Sequence, residues 1–564
     1  MHVHRHTNIN ESFRIGIGEV RIFTFQLQPT HMSAAYVPYS KTGFFSKTVC
    51  DYLAQAESIR PFYNRFPSLD SLGEQIAEKE QSKACSPEWR KKLAANLLAA
   101  YSTVAISEAT QNNIELLTAS NSFTITTGHQ LNLFTGPLYF LYKIVSVINF
   151  CKQAKDAYPK HEFIPVYWMA TEDHDFDEIN YFNFKGSKIA WNRKDGGAVG
   201  ELTTEGLEEV AEVIRAATGK STQAAYLQEL FENAYLKHTD LAAATRYLAN
   251  ALFAEQGLVI VDGNNSELKK TFAPYAKREL LSQTGHEVIT ASTEKLVLSG
   301  YKQQVHPREI NLFYLDKGVR ERIVAQDGKF YMNDTDLVFS EEEILKLLDS
   351  NPEKFSPNAL LRPLFQEAIL PNLCYIGGGG ELAYWFQLKA YFETVGVVFP
   401  MLMLRNSALL ITEKQIGKWE RLDLDIEDLF KSADNLAARL VEIHSSLPVN
   451  FDPQKEHLKK QFEDLYQLAK QTDPSFLGAV AAQEKKQING LKNLEKRLRK
   501  AEKRNHNDRI IRAQELQAAL FPAGSLQERN TNFSDFYLEV GDGLIPLLIK
   551  ELDPFKSEFS VIRL

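Results

Sequence analysis

Ser122-Phe-Thr-Ile-Thr-Thr-Gly-His129, followed by Gln130, a loop to Gly136 and Pro137, and an apolar-faced run from about Leu138 to Lys152, decides the fold. The first segment is short and β-branched and ends at a glycine, which reads as a strand; the last has apolar residues three and four apart, which reads as a helix. Strand, loop and helix make the opening half of a βαβ unit. Working outward, Phe163-Ile-Pro-Val-Tyr-Trp-Met-Ala170 is a second strand, running directly into Thr171-Glu-Asp-His-Asp175. Gly257–Asp262 and Asn372–Ile376 are further strands. Four glycines (Gly377 to Gly380) and a helix expected over Glu381–Thr394 follow the latter, and Val397–Leu404 closes the series. Apolar strands alternating with helices predict an α/β protein whose parallel sheet is covered on both faces. In such sheets ligands sit outside the carboxyl ends of the strands, where the polar motifs of this chain lie.

With 564 residues the chain exceeds what one hydrophobic core fills, so more than one domain is expected. A net charge of −8 argues against a molecule built as a whole to embrace polyanions. The four cysteines (Cys50, Cys85, Cys151, Cys374) form no CxxC pair, which argues against a thiolate zinc site and a disulfide framework and suits a reducing compartment. No apolar run reaches the roughly 18–20 residues of a membrane span. Met32-Ser-Ala-Ala-Tyr36 reads as a natural beginning, so residues 1–31 are expected to be a non-native or disordered extension. The α/β core is expected over 32–411, with inserted segments near 181–256 and 300–340. A long-helix arm is expected over 412–520, and a segment returning to the core over 521–564. Leu491, Leu494, Leu498 and Ala501 follow a three-four-three spacing that predicts a short heptad seam in the arm.

Four constellations can carry chemistry. In Thr127-Gly-His-Gln130 through Gly136, glycines allow close backbone approach, and a following helix offers unpaired N–H groups to an anion. His129, and Lys143 if it turns inward, could stabilise phosphate charge there. The alternative is a tight strand-to-helix turn. Glu172-Asp-His-Asp-Phe-Asp-Glu178 packs five carboxylates and a histidine into seven residues. Metal binding, amine recognition and general-base chemistry all fit it, as does a solvated acidic loop anchored by Phe176. Arg308, in His306-Pro-Arg308, and Arg362, before Pro363, are candidate clamps for carboxylate or phosphate, or partners in structural salt bridges. Gly377 and Gly378 line a strand-to-helix loop. Residues 481–516 carry 11 basic against 5 acidic side chains, a basic helical face that solvent or a polyanion could meet.

Taken together, these residues resemble the cysteine ligases of bacillithiol biosynthesis, the BshC family. The resemblance lies in Thr127-Gly-His-Gln130, Thr135-Gly-Pro-Leu-Tyr139, Trp168-Met-Ala-Thr-Glu-Asp-His-Asp-Phe-Asp-Glu178, His306-Pro-Arg308, Leu361-Arg-Pro363, Tyr375-Ile-Gly377 and Tyr39 with Gly43-Phe-Phe-Ser46. It spans roughly Met32 to Leu564. One departure is His129, which stands where many relatives are expected to carry a second glutamine, so the resemblance supports the backbone loop rather than this imidazole. The family implies a Rossmann-like core with inserted connecting segments, a coiled-coil domain, and a homodimer through that arm. It implies a cytoplasmic ligase, using ATP with magnesium and with nothing tightly bound, that joins the cysteine carboxylate to the amine of glucosaminyl malate. On chemical grounds Thr127, Gly128, Gln130, Gly136 and Lys143 are then assigned to the nucleotide. Asp173, His174, Asp175 and His129 are assigned to catalysis, and Glu172, Asp177, Arg308, Arg362, Gly377 and Gly378 to the substrate; no metal, nucleic-acid or membrane site is expected. The rival readings are another ATP-dependent ligase or nucleotidyltransferase on the same fold, or a nucleic-acid-binding protein using the basic arm.

Overall fold

The computed structural model describes residues 34–82, 86–194 and 196–564; the expectation for residues 1–31, the start at Met32 and Cys85 lie outside the described residues. Five strands form the central parallel sheet: β1 (Ser122–His129), β2 (Glu162–Met169), β3 (Val259–Asp262), β4 (Asn372–Gly377) and β5 (Met401–Leu404). Their order is β5-β4-β1-β2-β3. Every residue of β1 and β4 is buried, as a sheet covered on both faces requires. The chain leaves β1 for β2 on one side and later returns to β4 on the other, so the order reverses between β1 and β4. That reversal is the topological switch point, the crevice where open α/β sheets receive ligands.

Four helices bear on this crevice: α1 (Tyr139–Ala157), α2 (Ser266–Ser282), α3 (Arg362–Ile369) and α4 (Gly379–Trp385). The helix expected over Glu381–Thr394 is broken into α4 and Lys389–Val395. The break has a cause. Gln387 turns fully inward, accepting from the backbone N–H groups of Gln304 and Val305 and donating to Thr293 Oγ1 and Val305 O. β5 is shorter than the apolar run Val397–Leu404 because it begins only after Pro400, which has no N–H for a ladder.

The segment 181–256 is a small hairpin (Tyr181–Phe184, Ser187–Ala190) followed by three helices. Strands Leu312–Asp316, Val319–Gln326, Lys329–Met332, Val338–Ser340 and Phe355–Pro357 form an antiparallel sheet over the strand ends. A third sheet joins Ala34–Pro38, Glu558–Arg563 and Ala408–Ile411, tying both ends of the described chain together. In the arm, α5 (Asp452–Ala469) packs antiparallel on α6 (Pro474–Asn505) around Phe462, Ala469 and Val480. Lys455 pairs with Glu495 at 2.6 Å, and Tyr466 donates to Glu484 at 2.7 Å. Leu491 and Leu498 are half-buried against the hairpin, whereas Leu494 is 54% exposed, so the expected four-residue seam breaks at Leu494.

Candidate active site

β1 and β4 end side by side, and Thr127 Oγ1 donates to Ile376 O at 2.7 Å across them. That hydroxyl is spent as a staple, which removes Thr127 from the candidate ligand groups. Gly128 leaves little room for a side chain, since a Cβ there would lie 3.1 Å from the Tyr375 hydroxyl, which would have to shift. Its carbonyl accepts from Lys143 Nζ at 2.7 Å. Lys143 does turn inward, and its ammonium pairs with Glu381 at 2.7 Å. Glu381 in turn accepts from Tyr375 at 2.5 Å and from the Gly378 N–H at 2.8 Å, closing a capping box on α4.

Two arginines complete this cluster. Arg405 enters a buried ion pair with Glu528 at 2.7 Å and lies over the Tyr139 ring, while its Nε has no partner. Arg362 donates from Nη1 to Gln366 Oε1 at 3.0 Å and lies over Trp168 and Tyr375. Its Nη2 is buried without a partner, and no carboxylate pairs with it among the described residues. Three cations thus meet two carboxylates, an excess of one positive charge among largely buried side chains. Burial lowers the Lys143 pKa, opposed by Glu381 and reinforced by Arg405 and Arg362. For Glu381, burial pushes the pKa up, but Lys143 and the hydrogen bonds outweigh it and hold the carboxyl ionised. The two directions agree on one picture: the carboxylate is fully charged, and the ammonium is crowded by neighbouring guanidiniums.

His129 departs from expectation. Burial, then Lys143 and Arg405, drive its pKa well below the ordinary value, so the imidazole is neutral and supplies no cation for a phosphate. Its Nε2 is buried without a partner, and its ring packs near Tyr139 and Phe140. Gly136 also departs. Phe134, Thr135 and Gly136 all have positive φ (48°, 67° and 63°). Asn532 from the C-terminal segment holds this turn by donating to Phe134 O at 2.8 Å and Gly136 O at 2.6 Å. Gly136 is therefore a buried turn residue rather than a ligand-facing one. A Cβ on it would lie 2.5 Å from Asn132 Cβ, so Gly136→Ala is expected to cost at least about 1–3 kcal/mol from backbone strain alone. A denaturant midpoint unchanged from the native protein would refute this.

The acidic loop stands at the neighbouring strand end. Gln130 donates to Asp173 at 2.9 Å and to Glu178 at 3.0 Å, so its side chain serves this loop, not a phosphate cradle. Asp173 accepts from the His174 N–H at 2.8 Å, and Arg320 Nη1 lies 2.6 Å from His174 Nδ1. Burial opposes the charge on Asp173, but hydrogen bonds from His174 and Gln130 and the Arg320 charge hold its carboxyl far below the usual range. The Asp173 carboxylate, 3.7 Å from Nδ1, raises His174, against burial and Arg320. Burial and then Asp173 raise Asp175. Glu172 points elsewhere: it forms a buried ion pair with Lys269 of α2 at 2.6 Å, and Lys269 also donates to Glu353 O. Its expected substrate contact thus gives way to a strut between the sheet and α2. Asp177 is exposed. The Arg308 side chain is exposed on the loop before Asn311 and joins neither cluster by an ion pair among the described residues. Gly377 is packed against Tyr375 and Glu381, whereas Gly378 keeps its N–H on Glu381. Sequence reading missed Arg320, Arg405 and Glu528.

A parallel sheet of this order, with buried charge gathered where it reverses, defines a Rossmann-like α/β protein whose candidate site lies at the switch point. The chain belongs to the BshC family of bacillithiol biosynthesis: the N-terminal Rossmann-like domain of that family matches residues 32–406, and its C-terminal coiled-coil domain matches 408–564. A protein of Flavobacterium johnsoniae named "Putative cysteine ligase BshC" is 53% identical over 94% of this chain and 99% of its own. One of Christiangramia forsetii bearing the same name is 50% identical over 93% of this chain and 98% of its own. Another, of Bacillus cereus, is 27% identical over 92% and 98%.

Proposed function

We propose that this chain joins cysteine to glucosaminyl malate by an amide bond at the expense of ATP, the cysteine-adding step of bacillithiol biosynthesis. The observation that carries this reading is the crevice between β1 and β4, where Arg362 keeps a buried, unpartnered Nη2 beside a lysine and a second arginine. An anionic reactant is the missing complement to that charge. The names carried by the relatives supply the cysteine-ligase class.

A carboxylate does not condense with an amine unaided, because oxide is too poor a leaving group. In the adenylate form of the reaction, a cysteine carboxylate oxygen attacks the α-phosphorus and pyrophosphate leaves. The amine nitrogen then bonds to the acyl carbon, AMP departs, and the ammonium proton passes to a base. Lys143 is assigned to the phosphates, Arg362 to a carboxylate, and His174 or Asp175 to the proton. Asp173 is too acidic for that role and instead orients His174. Magnesium entering on ATP needs only one or two carboxylates besides phosphate oxygens.

ATP and free thiol supply place the reaction in the cytoplasm, and fractionation with the membrane or envelope would contradict that. No described helix is long and apolar enough to cross a membrane. The exposed Leu465, Leu468, Phe476, Leu477 and Leu494 of the arm support a homodimer there; a monomer by sedimentation at micromolar concentration would sink this assignment. The test of function is incubation with cysteine, glucosaminyl malate and ATP–magnesium, followed by mass spectrometry. Bacillithiol with AMP supports the adenylate route, and bacillithiol with ADP an acyl-phosphate. No bacillithiol from folded protein refutes the proposed reaction.

A further inference from the structure

Asn311 is completely buried, yet it lies between two loops that each carry an arginine. Its amide is saturated. Nδ2 donates to Glu279 Oε1 at 2.8 Å and to Arg308 O at 2.9 Å. Oδ1 accepts from the Arg308 N–H at 3.1 Å and from Asn358 Nδ2 at 2.9 Å. Its backbone is engaged as well, its N–H donating to Glu279 Oε1 at 3.0 Å and its carbonyl accepting from the Asn358 N–H at 3.0 Å. Asn358 continues the chain, since its carbonyl accepts from the Arg362 N–H at 2.8 Å and its Oδ1 from the N–H groups of Leu360 and Leu361. A buried polar relay therefore runs from Glu279 on α2 through Asn311 and Asn358 to the first residue of α3. On its way it grips the Arg308 backbone from both sides.

Every hydrogen-bonding group of the Asn311 amide is satisfied, whereas Glu279 Oε2 is buried without a hydrogen-bond partner, so it is the amide at the centre that holds the relay in one geometry. Only an amide fits the centre: an aspartate would face Glu279 with no side-chain donor, and an apolar side chain would leave Glu279 Oε1 only the backbone N–H of residue 311 from this position. The Glu279 carboxyl itself is pushed up by burial, opposed by its hydrogen bonds from Asn311. Nothing in the relay touches the crevice, so its output is the relative placement of the two arginine-bearing backbones.

We propose that Asn311 is a positioning residue that sets the Arg308 loop against the start of α3, so that Arg308 and Arg362 together address one acidic acceptor substrate. The proposal rests on the ligase reading above, and it names the specificity it confers: recognition of the acceptor's dicarboxylate, separate from its amino sugar. Arg308 is exposed and Arg362 keeps a buried Nη2 without a partner, so neither guanidinium is committed to an ion pair among the described residues.

The experiment is a double-mutant cycle on the full chain with purified glucosaminyl malate, ATP and cysteine. Asn311→Ala is expected to raise KM for glucosaminyl malate on the order of ten- to a hundred-fold, with KM for ATP and cysteine unchanged. In an Arg308→Ala, Arg362→Ala background the same change should have almost no further effect on that KM, because the placement it controls no longer matters. Asn358→Ala, which cuts the relay at its next link, should reproduce the selective rise if Asn311→Ala does not fold. Glu279→Gln, whose carbonyl can still accept from Asn311, should leave all three KM values near native. If the arginine pair affects KM for glucosaminyl malate but neither Asn311→Ala nor Asn358→Ala does, or if the effects simply add, the positioning role is overturned. If removing both arginines changes nothing while product still forms, the clamp assignment fails, and the positioning role fails with it. If the native protein forms no product, it is the ligase reading that fails.

Discussion

Lys143→Met is expected to destabilise the protein by about 3–5 kcal/mol and to reduce turnover on the order of 10²–10³-fold, and the two losses should separate in a second variant. The lysine and Glu381 are both shielded from water, with side chains 6% and 24% exposed. Removing only the cation leaves a carboxylate held in place by Tyr375 and Gly378 with its counter-charge gone. Glu381→Gln in the Lys143→Met background removes the stranded charge while keeping an acceptor for the Gly378 N–H, so most of the stability returns. Turnover should not return if the ammonium acts on phosphate charge. Recovery of both stability and turnover would make Lys143 a purely structural partner of Glu381.

The sign of the pH effect follows from the same pair. The Glu381 pKa is lowered in the fold, so its contribution is present above the ordinary carboxyl value of 4.5 and is lost as pH falls through the folded value. The stability deficit of Lys143→Met should therefore shrink in acid, where Glu381 is protonated. A deficit that is flat from neutral to acid pH would mean that Glu381 is not the charge left stranded.

The parts of this architecture that were legible from sequence are those encoded by contiguous pattern. β1, β2 and β4 are buried runs followed by glycine or acid, and their polar ends do meet at the carboxyl end of the sheet. The pairings were not legible. Thr127 reaches Ile376 across 249 residues, and Arg405 reaches Glu528 across 123, because the sheet order sets distant segments side by side. Local spacing carries no trace of such contacts, so Thr127, Gln130, Gly136 and Glu172 looked available for ligands when the fold had already engaged them. The three-stranded sheet was missed for a related reason. Ala34–Pro38 and Ala408–Ile411 are short and gain their identity only from Glu558–Arg563, the strand that pairs with both. Asn532 carried one weak signal: an asparagine at a helix N-terminus is usually a cap, and here it caps Ser534 while also holding the turn at Gly136.

The remaining large effect concerns the proton that the attacking amine must lose. His174→Gln is expected to reduce kcat on the order of 10²–10⁴-fold. The groups facing His174 are Asp173 and Asp175 of its own loop and Arg320 and Phe313 of the antiparallel sheet. The Asp173 carboxylate, 3.7 Å from Nδ1, raises the imidazole above its ordinary 6.5 despite Arg320. A base works only when unprotonated, so a raised pKa moves the acid limb of the rate profile to higher pH, above 6.5. Asp173→Asn removes the largest cause of that rise, leaving burial and Arg320 to push the limb back down. If Asp175 were the base, the limb would lie far lower, because burial and Asp173 raise that carboxyl only from an ordinary 3.8. The position of the limb in the native enzyme thus distinguishes histidine from aspartate, and its movement in Asp173→Asn identifies the group that tunes it. A limb above 6.5 that stays in place in Asp173→Asn would assign the titration to another group and end the case for a His174–Asp173 pair.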